Sequence, residues 1–546
     1  MASTESSPQA KPEADTARPT PQRWRVRDAL RPPFTLDLVW VLLPFSLVLL
    51  CFAMLPLRSW DYWWHITMGR LLHQYGAIPA ANHFLYTMPP DAPSFVQPWL
   101  SQWIFFGLHD LGGLQSVLLL RNLIAATVAA LLGFGAMRLS RSAMHGAVLT
   151  LLAFALAFPY IAARPHLFVL LLFVLLIWLG YRIRRGQLSL GALLLFPATT
   201  VLWANLHGSF FVPAAIALAF GAAALVERFD PRPKLGDVPD PHATLRRSVA
   251  WFIAFALTLA APLLNPRGAQ LYGYVQDLAT NPEIQETVTE WMSATLTNPP
   301  GVGILFYLLL CAGVVIFWRN RRTVDAVDVF LFAGFALMTI FAARSMLWFA
   351  LILPWTLAAY LPESSDAPGG AQRDTPPPGW LRAVNLLVGL GLLLSALLLQ
   401  PGTVFHRDFL KAYPAIPTRD EVPLSGLVEA ETPVISAAIL QQHPGPIHLF
   451  HEQKFAGFLL FHLARSRPEP WVFVDQRIEL PPPHVWQLYY DAIHTPAWKG
   501  IFQEYDISAA LLSKETQPEL VKNMRAEPGW EIRHENAYNI LFIQKN

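Results

Sequence analysis

Apolar runs of roughly twenty residues recur along most of this chain, more than a water-soluble domain could bury. A bilayer core about 30 Å thick takes roughly twenty helical residues to cross, and about eleven stretches meet that length. They lie near 35–57, 114–137, 143–161, 166–183, 188–206, 209–226, 248–264, 302–318, 327–342, 346–361 and 382–400. Composition agrees, with 54% hydrophobic residues against 14% charged. The chain therefore reads as a polytopic α-helical membrane protein of about eleven transmembrane helices, whose first partner is the lipid bilayer. A net charge of +2 says little about other partners, and no nucleic acid is expected. Both cysteines, Cys51 and Cys311, fall inside apolar runs, which leaves no disulfide framework and no cysteine metal site.

Residues 1–33 are rich in Pro, Ala, Ser and charge and show no apolar periodicity, so they read as a disordered tail. The run that follows lacks a cleavage pattern and reads as a retained anchor. Arg18, Arg23, Arg25, Arg27 and Arg31 precede it, which places the N-terminus in the cytoplasm. Alternating from there, the inner loops hold Arg138 and Arg141, then Arg182, Arg184 and Arg185, then Arg228 to Arg247, then Arg319, Arg321 and Arg322, then Arg373 and Arg382. Residues 34–400 thus form a transmembrane domain and 401–546 lie outside. That last segment is of mixed character, with short runs such as "IHLF", "PWVFVDQR" and "ISAALLS" between helical stretches, and predicts a small extracytoplasmic α/β domain.

With this topology, polar residues collect at the outer ends of the spans. "WDYWWH" carries Asp61 and His65, "AARPH" Arg164 and His166, and "WANLHGS" Asn205 and His207. "LLNPRG" carries Asn265 and Arg267, "EW" carries Glu290, and "AARS" carries Arg344. Short linkers hold the helix ends together, so these groups are expected to converge on one cavity. Each has a plainer reading. The arginines snorkel to headgroups, Asn205 caps a turn, Asn265 with Pro266 and Gly268 forms one, and the histidines are satisfied interfacial groups. No HxH or HxxxH spacing supports a metal site. Arg121 lies within a span and needs a partner or a water-filled pocket. Asp475 and Arg477 form either a sugar-binding pair or an ion pair at a strand end.

Residues 62–76, "YWWHITMGRLLHQYG", are too short and too polar to span and predict a juxtamembrane helix flat on the outer interface, its tryptophans setting the depth. Residues 98–111 predict a second helix of this kind.

Taken in order, "DYWWHITMGRLLHQYGAIP", "ARPHLF", "WANLHGSF", "LLNPRG", "EWMS" and "VFVDQR" resemble a group of bacterial membrane proteins near the GT-C superfamily of integral membrane glycosyltransferases. The resemblance runs from about residue 58 to the end. It implies residence in the bacterial inner membrane and transfer of a sugar from a polyprenyl-phosphate-linked donor to an extracytoplasmic acceptor, which is a glycan, a lipid or a protein. Asp61 matches the catalytic carboxylate after the first span, a base or an anchor for a metal, with Glu290 in reserve. His65, Arg164, His166, Asn205, His207, Asn265, Arg267 and Arg344 are the expected substrate-binding set. Where related chains carry further acids this one has Asn82, Gln97 and Gln102, so a divalent metal has little support and no other cofactor is implied. Two other readings stand beside the enzyme: a noncatalytic assembly or binding protein on the same scaffold, or a lipid or polysaccharide transporter.

Overall fold

The computed structural model describes residues 25–229, 241–281, 288–362, 377–412, 426–463 and 471–545, save for a few single positions, together with Ile284 and Leu424. Arg18, Arg23, Arg373 and most of the N-terminal tail lie outside the described residues. The bundle begins with α1 (Leu36–Ala53), α2 (Asp61–Tyr75) and α3 (Trp99–Ser140). It continues through α4 (Ala143–Ala157), α5 (His166–Arg184), α6 (Leu195–Leu206), α7 (Val212–Glu227), α8 (Pro241–Ala260) and the short α9 (Gln270–Thr280). It closes with α10 (Gly303–Arg319), α11 (Ala326–Phe341), α12 (Met346–Leu357) and α13 (Gly379–Leu398).

Among the described residues six helices are long and apolar enough to cross a membrane by length and composition: Leu36–Ala53, Trp99–Ser140, Ala143–Tyr160, His166–Arg184, Leu245–Leu264 and Gly379–Leu398. Leu190–Leu206, Val212–Glu227, Gly303–Arg319 and Ala326–Phe341 are shorter apolar helices beside them. Every residue of α12 is buried, which makes it a central helix of the bundle. Inside α3 the helix breaks at Gly112 and Gly113, where φ of +64° at Gly113 suits only a residue without Cβ. The break separates the predicted helix near 98–111 from the span that follows.

The C-terminal part carries α14 (Val404–Ala412), α15 (Val434–Gln442), β1 (Leu449–His451), α16 (Ala456–Leu463), α17 (Pro483–His494), α18 (Trp498–Glu504), β2 (Ala509–Ser513), α19 (Pro518–Arg525), β3 (Trp530–Glu535) and β4 (Asn539–Gln544). Its sheet runs β1-β2-β4-β3, parallel between β1 and β2 and antiparallel elsewhere. Side chains alternate across it, as the strand repeat requires. Leu449, Leu511 and Leu541 join the core of the bundle, while Phe450, Leu512 and Phe542 pack with Val485, Trp486 and Phe502 of α17 and α18 in a second core. Bridges Leu449↔Val472 and Leu85↔Val472 lengthen the sheet with the segment after α2. Bundle and sheet therefore share backbone pairing as well as apolar contact.

The helix α2 departs from the expected surface location. Trp63 and Trp64 are buried, and so is Arg70, because α16 covers the face that was expected to meet water or headgroups. Trp63 packs edge-on against Phe458 at 5.0 Å, and Arg70 donates to the carbonyls of Phe461 and Leu460. Arg121, too, is explained without a pocket. It donates to the carbonyls of Phe52 at 2.7 Å, Leu55 at 2.8 Å and Pro56 at 3.3 Å, closing off the C-terminal end of α1. At the other end of α5, Arg184 bridges Glu227 and Asp325, and Asp328 accepts from Tyr181 and Tyr360.

Candidate functional site

Seven connections between helices meet at the end of the bundle that carries the sheet, around a cavity of about 620 Å3. Asp61, His65, Arg164, His166, His207, Glu290 and Arg344 all line it. Asp61 opens α2, where a carboxylate suits the positive end of the helix. Arg164 sits in the tight turn between α4 and α5, held by its backbone N–H on the carbonyl of Ala162 at 2.8 Å. Its Nη2 lies 2.9 Å from Asp61 Oδ2 and its Nη1 3.2 Å from Glu290 Oε2, so one guanidinium joins two carboxylates. The pairing with Asp61, set against burial, pushes the pKa of Arg164 above its ordinary value.

Glu290 is tied to Arg344 through the backbone, since the Arg344 N–H donates to the Glu290 carbonyl at 2.8 Å. The Arg344 guanidinium rests on the Trp291 ring, 4.2 Å from its centroid. Among the described residues that guanidinium has no hydrogen bond or ion pair. Burial disfavours the charged carboxylate of Glu290, but Arg164 and Arg344 outweigh it and hold the pKa below the ordinary value.

The histidines are kept neutral. Burial, with Arg164 and His166 adding to it, pushes His65 down to about 3. Burial and the surrounding His and Arg groups push His207 well down. Gln102 Nε2 donates to His65 Nδ1 at 3.2 Å, and the Ser209 N–H donates to His207 Nδ1 at 3.1 Å. His166 makes its one bond to the Tyr160 backbone, and its Nε2 is buried with no partner. Such neutral rings can donate or accept at a substrate without changing charge.

Three of the expected residues lie outside the lining. Asn205 Oδ1 accepts from Trp99 Nε1 at 2.7 Å and from Asn265 Nδ2 at 3.1 Å, and Asn265 also donates to the Ala204 carbonyl. The two amides tie α6 to the turn after α8. Arg267 donates to the Pro79 carbonyl and covers Phe95, which itself lines the cavity. Tyr274, Gln476 and Glu479 complete the wall, and of these only Gln476 falls within a string singled out from the sequence, "VFVDQR". Tyr274 donates to Glu479 Oε1 at 2.9 Å, and burial raises the Glu479 pKa. Tyr274 comes from α9, whereas Gln476 and Glu479 belong to the segment between α16 and α17. Arg477 is ion-paired with the wholly buried Asp475 and donates to Ser94 Oγ at 2.7 Å.

The donor set does not suit a divalent ion. Among the described residues no three His, Cys, Asp or Glu side chains come together as ligands. Both carboxylates of the centre are already joined by Arg164. The Asn82 amide is spent within its own turn, accepting from the N–H groups of Phe84 and Leu85 and donating to the Leu85 carbonyl.

No protein-family model matches the chain, and no curated protein matches it. It is similar in structure to archaeal oligosaccharyltransferase AglB from Archaeoglobus fulgidus, solved with an inhibitory peptide and a dolichol-phosphate. That likeness has a TM-score of 0.50 at 11% identity and covers 92% of this chain and 73% of AglB. Two other structures of the Archaeoglobus fulgidus oligosaccharyltransferase superpose less closely. The one tethered with an acceptor peptide gives a TM-score of 0.45 at 12% identity, covering 93% of this chain and 74% of the other. The apo form gives 0.46 at 11% identity, covering 92% and 74%. At such low identity the AglB likeness speaks for the fold alone.

Proposed function

We propose that this chain is a membrane glycosyltransferase that moves a sugar from a polyprenyl-phosphate-linked donor to an acceptor hydroxyl on the extracytoplasmic side. The observation that carries this reading is the pairing, in one cavity, of a carboxylate held in place with a guanidinium left free. Asp61 is fixed through Oδ2, while Arg344 lies flat on Trp291 with its N–H groups uncommitted among the described residues. A planar guanidinium makes bidentate, charge-assisted bonds to phosphate oxygens, which suits Arg344 to the donor phosphate. In AglB the same fold holds a dolichol-phosphate, a lipid of the class proposed here.

The reaction asks for a base and a cation. Asp61 takes the proton of the acceptor hydroxyl as its oxygen bonds to the anomeric carbon. The bond from that carbon to the phosphate oxygen breaks, and its electron pair leaves with the polyprenyl phosphate, whose charge Arg344 offsets. A phosphate leaving group needs no proton from the protein. Arg164 holds Asp61 by direct contact, and Glu290, which holds Arg164, acts on the base through it. His65, His166 and His207 are placed to meet sugar hydroxyls as neutral rings. Asn205, Asn265 and Arg267 shape the wall from behind. This reading takes the basic loops at the opposite end as cytoplasmic by the positive-inside bias, and with them eleven crossings, an inner-membrane location and the sheet domain outside.

Mass spectrometry of lipids co-purifying with the protein tests the reading. A polyprenyl-phosphate sugar enriched with wild type, kept by Asp61→Asn and lost by Arg344→Ala is the expected result. Absence of such a lipid from all three folded proteins would point instead to a scaffold that binds a partner.

A further inference from the structure

We infer that the Arg164 guanidinium occupies the place between Asp61 and Glu290 that a divalent cation would need, so the centre operates without a bound metal. This deepens the glycosyltransferase reading but is measured without any substrate. Three segments distant in sequence converge on the contact: the start of α2, the turn between α4 and α5, and the loop before α10. Only a group with donors pointing two ways can satisfy both acids, and at 2.9 and 3.2 Å the two arms of Arg164 do so. A divalent ion binds through deprotonated carboxylates and displaces other cations from them. Here the cation is part of the chain.

Several of the remaining polar groups around the contact are engaged elsewhere. Gln97 and Gln102 turn their amide nitrogens to the Ala204 carbonyl and to His65 Nδ1. His65 and His207 accept hydrogen bonds at Nδ1, which puts the proton of the neutral ring on Nε2 and leaves no lone pair for a metal. His166 Nε2 and Gln102 Oε1 are buried without a hydrogen-bond partner. The charge of the lining points the same way, with Arg58, Arg164, Arg344 and Arg477 against Asp61, Glu290 and Glu479. Such a field favours a phosphate over a divalent cation.

Removing Arg164 should therefore create what the native chain lacks. Without the guanidinium, Asp61 and Glu290 are left as two unpaired carboxylates facing one gap. Purified full-length protein, treated with EDTA and then dialysed, is melted with and without millimolar MnCl2, and bound manganese is counted by elemental analysis. Wild type is expected to bind no stoichiometric manganese and to keep its Tm. Arg164→Ala is expected to bind about one equivalent and to gain a few degrees, because a ligand that binds only the folded state stabilises it. Arg164→Lys keeps a positive charge in the gap and is expected to behave as wild type.

Stoichiometric manganese in wild type, with a raised Tm, would overturn the inference whatever the variants do. A folded Arg164→Ala protein that binds no manganese would overturn the idea that the guanidinium fills a cation's place. If Arg164→Ala does not fold, Arg164→Gln takes its place in the same measurement, and the wild-type result stands alone. Absence of sugar transfer alongside the expected manganese pattern would defeat the proposed function and leave this inference in place.

Discussion

Arg70 donates from Nη1 to the carbonyl oxygen of Phe461 at 3.0 Å, joining the helix that begins with Asp61 to the helix that follows β1. The next contact along this seam is tighter still. A Cβ added at Gly457 would lie 2.8 Å from the Trp64 backbone nitrogen and 3.0 Å from the Trp60 carbonyl oxygen. Backbone atoms do not move aside as a flexible side chain would. Gly457→Ala is therefore expected to push α16 from α2, destabilise the protein by about 1–3 kcal/mol and reduce transfer by displacing Asp61. Melting curves and transfer assays on the same preparation check both effects. A variant of unchanged Tm and activity would mean that α2 is not held by this seam.

Arg344 offers a sharper distinction between charge and shape. Lysine at this position keeps the charge but loses both the flat contact with Trp291 and the paired donors. Arg344→Lys should weaken binding of a polyprenyl-phosphate sugar by about 1.5–3 kcal/mol, or roughly 10–100-fold, without unfolding the chain. Equilibrium binding of labelled donor lipid measures this. Equal affinity of Arg344→Lys and wild type would leave Arg344 as a point charge only.

Much of this arrangement was legible before any coordinates. Long apolar runs mark the long helices of the bundle because lipid leaves a chain few alternatives, while the short α9 carries no such run. The ends of those helices carry Asp61, Arg164, His166, His207, Glu290 and Arg344 in short connections, which forces them together. What could not be read was which polar groups satisfy one another. Asn205 and Asn265 look like lining residues until their mutual hydrogen bond is seen. The tryptophans of "WDYWWH" look interfacial because the helix that covers them, α16, lies almost four hundred residues further on by the separation of Arg70 and Phe461. Glu479 meets Tyr274 of α9 from a segment some two hundred residues further on, a contact that no local pattern encodes.

Acid should loosen the structure in two separable stages. His65 is pushed from 6.5 down to about 3, chiefly by burial. Above about pH 6.5 neither the folded nor the unfolded state binds its proton; below that the unfolded state takes it up and the folded state does not. Stability is therefore lost as pH falls from about 6.5 towards 3, and the depressed His207 adds to the same loss. Glu290, held below its ordinary 4.5, loses its contribution only at lower pH, as its own folded pKa is passed. A double variant, His65→Gln with His207→Gln, should flatten the fall in Tm between pH 7 and pH 5, while Glu290→Gln should leave that window unchanged. Parallel curves for the double variant and wild type would show that neither imidazole is kept neutral.

The end of α1 poses the question of what a buried arginine is for when no ligand reaches it. An α-helix leaves its last carbonyls without partners, and in an apolar surrounding each carries a cost that water would otherwise relieve. Arg121 meets one of them, on Phe52, together with the carbonyls of Leu55 and Pro56 just beyond the helix, while Gln400 donates to the Leu49 carbonyl at 3.2 Å. Replacing it with methionine keeps much of the volume and removes every donor. Arg121→Met is expected to lower stability by about 3 kcal/mol or more, since unsatisfied buried acceptors cost roughly 1–3 kcal/mol each and only partly relax. Arg121→Lys, with three donors on a flexible stem, should recover part of the loss. Thermal melts of the three proteins in one detergent measure the order. Equal stability of Arg121→Met and wild type would mean that the end of α1 finds other donors, and that Arg121 serves some purpose besides closing the helix from which the chain turns towards Asp61.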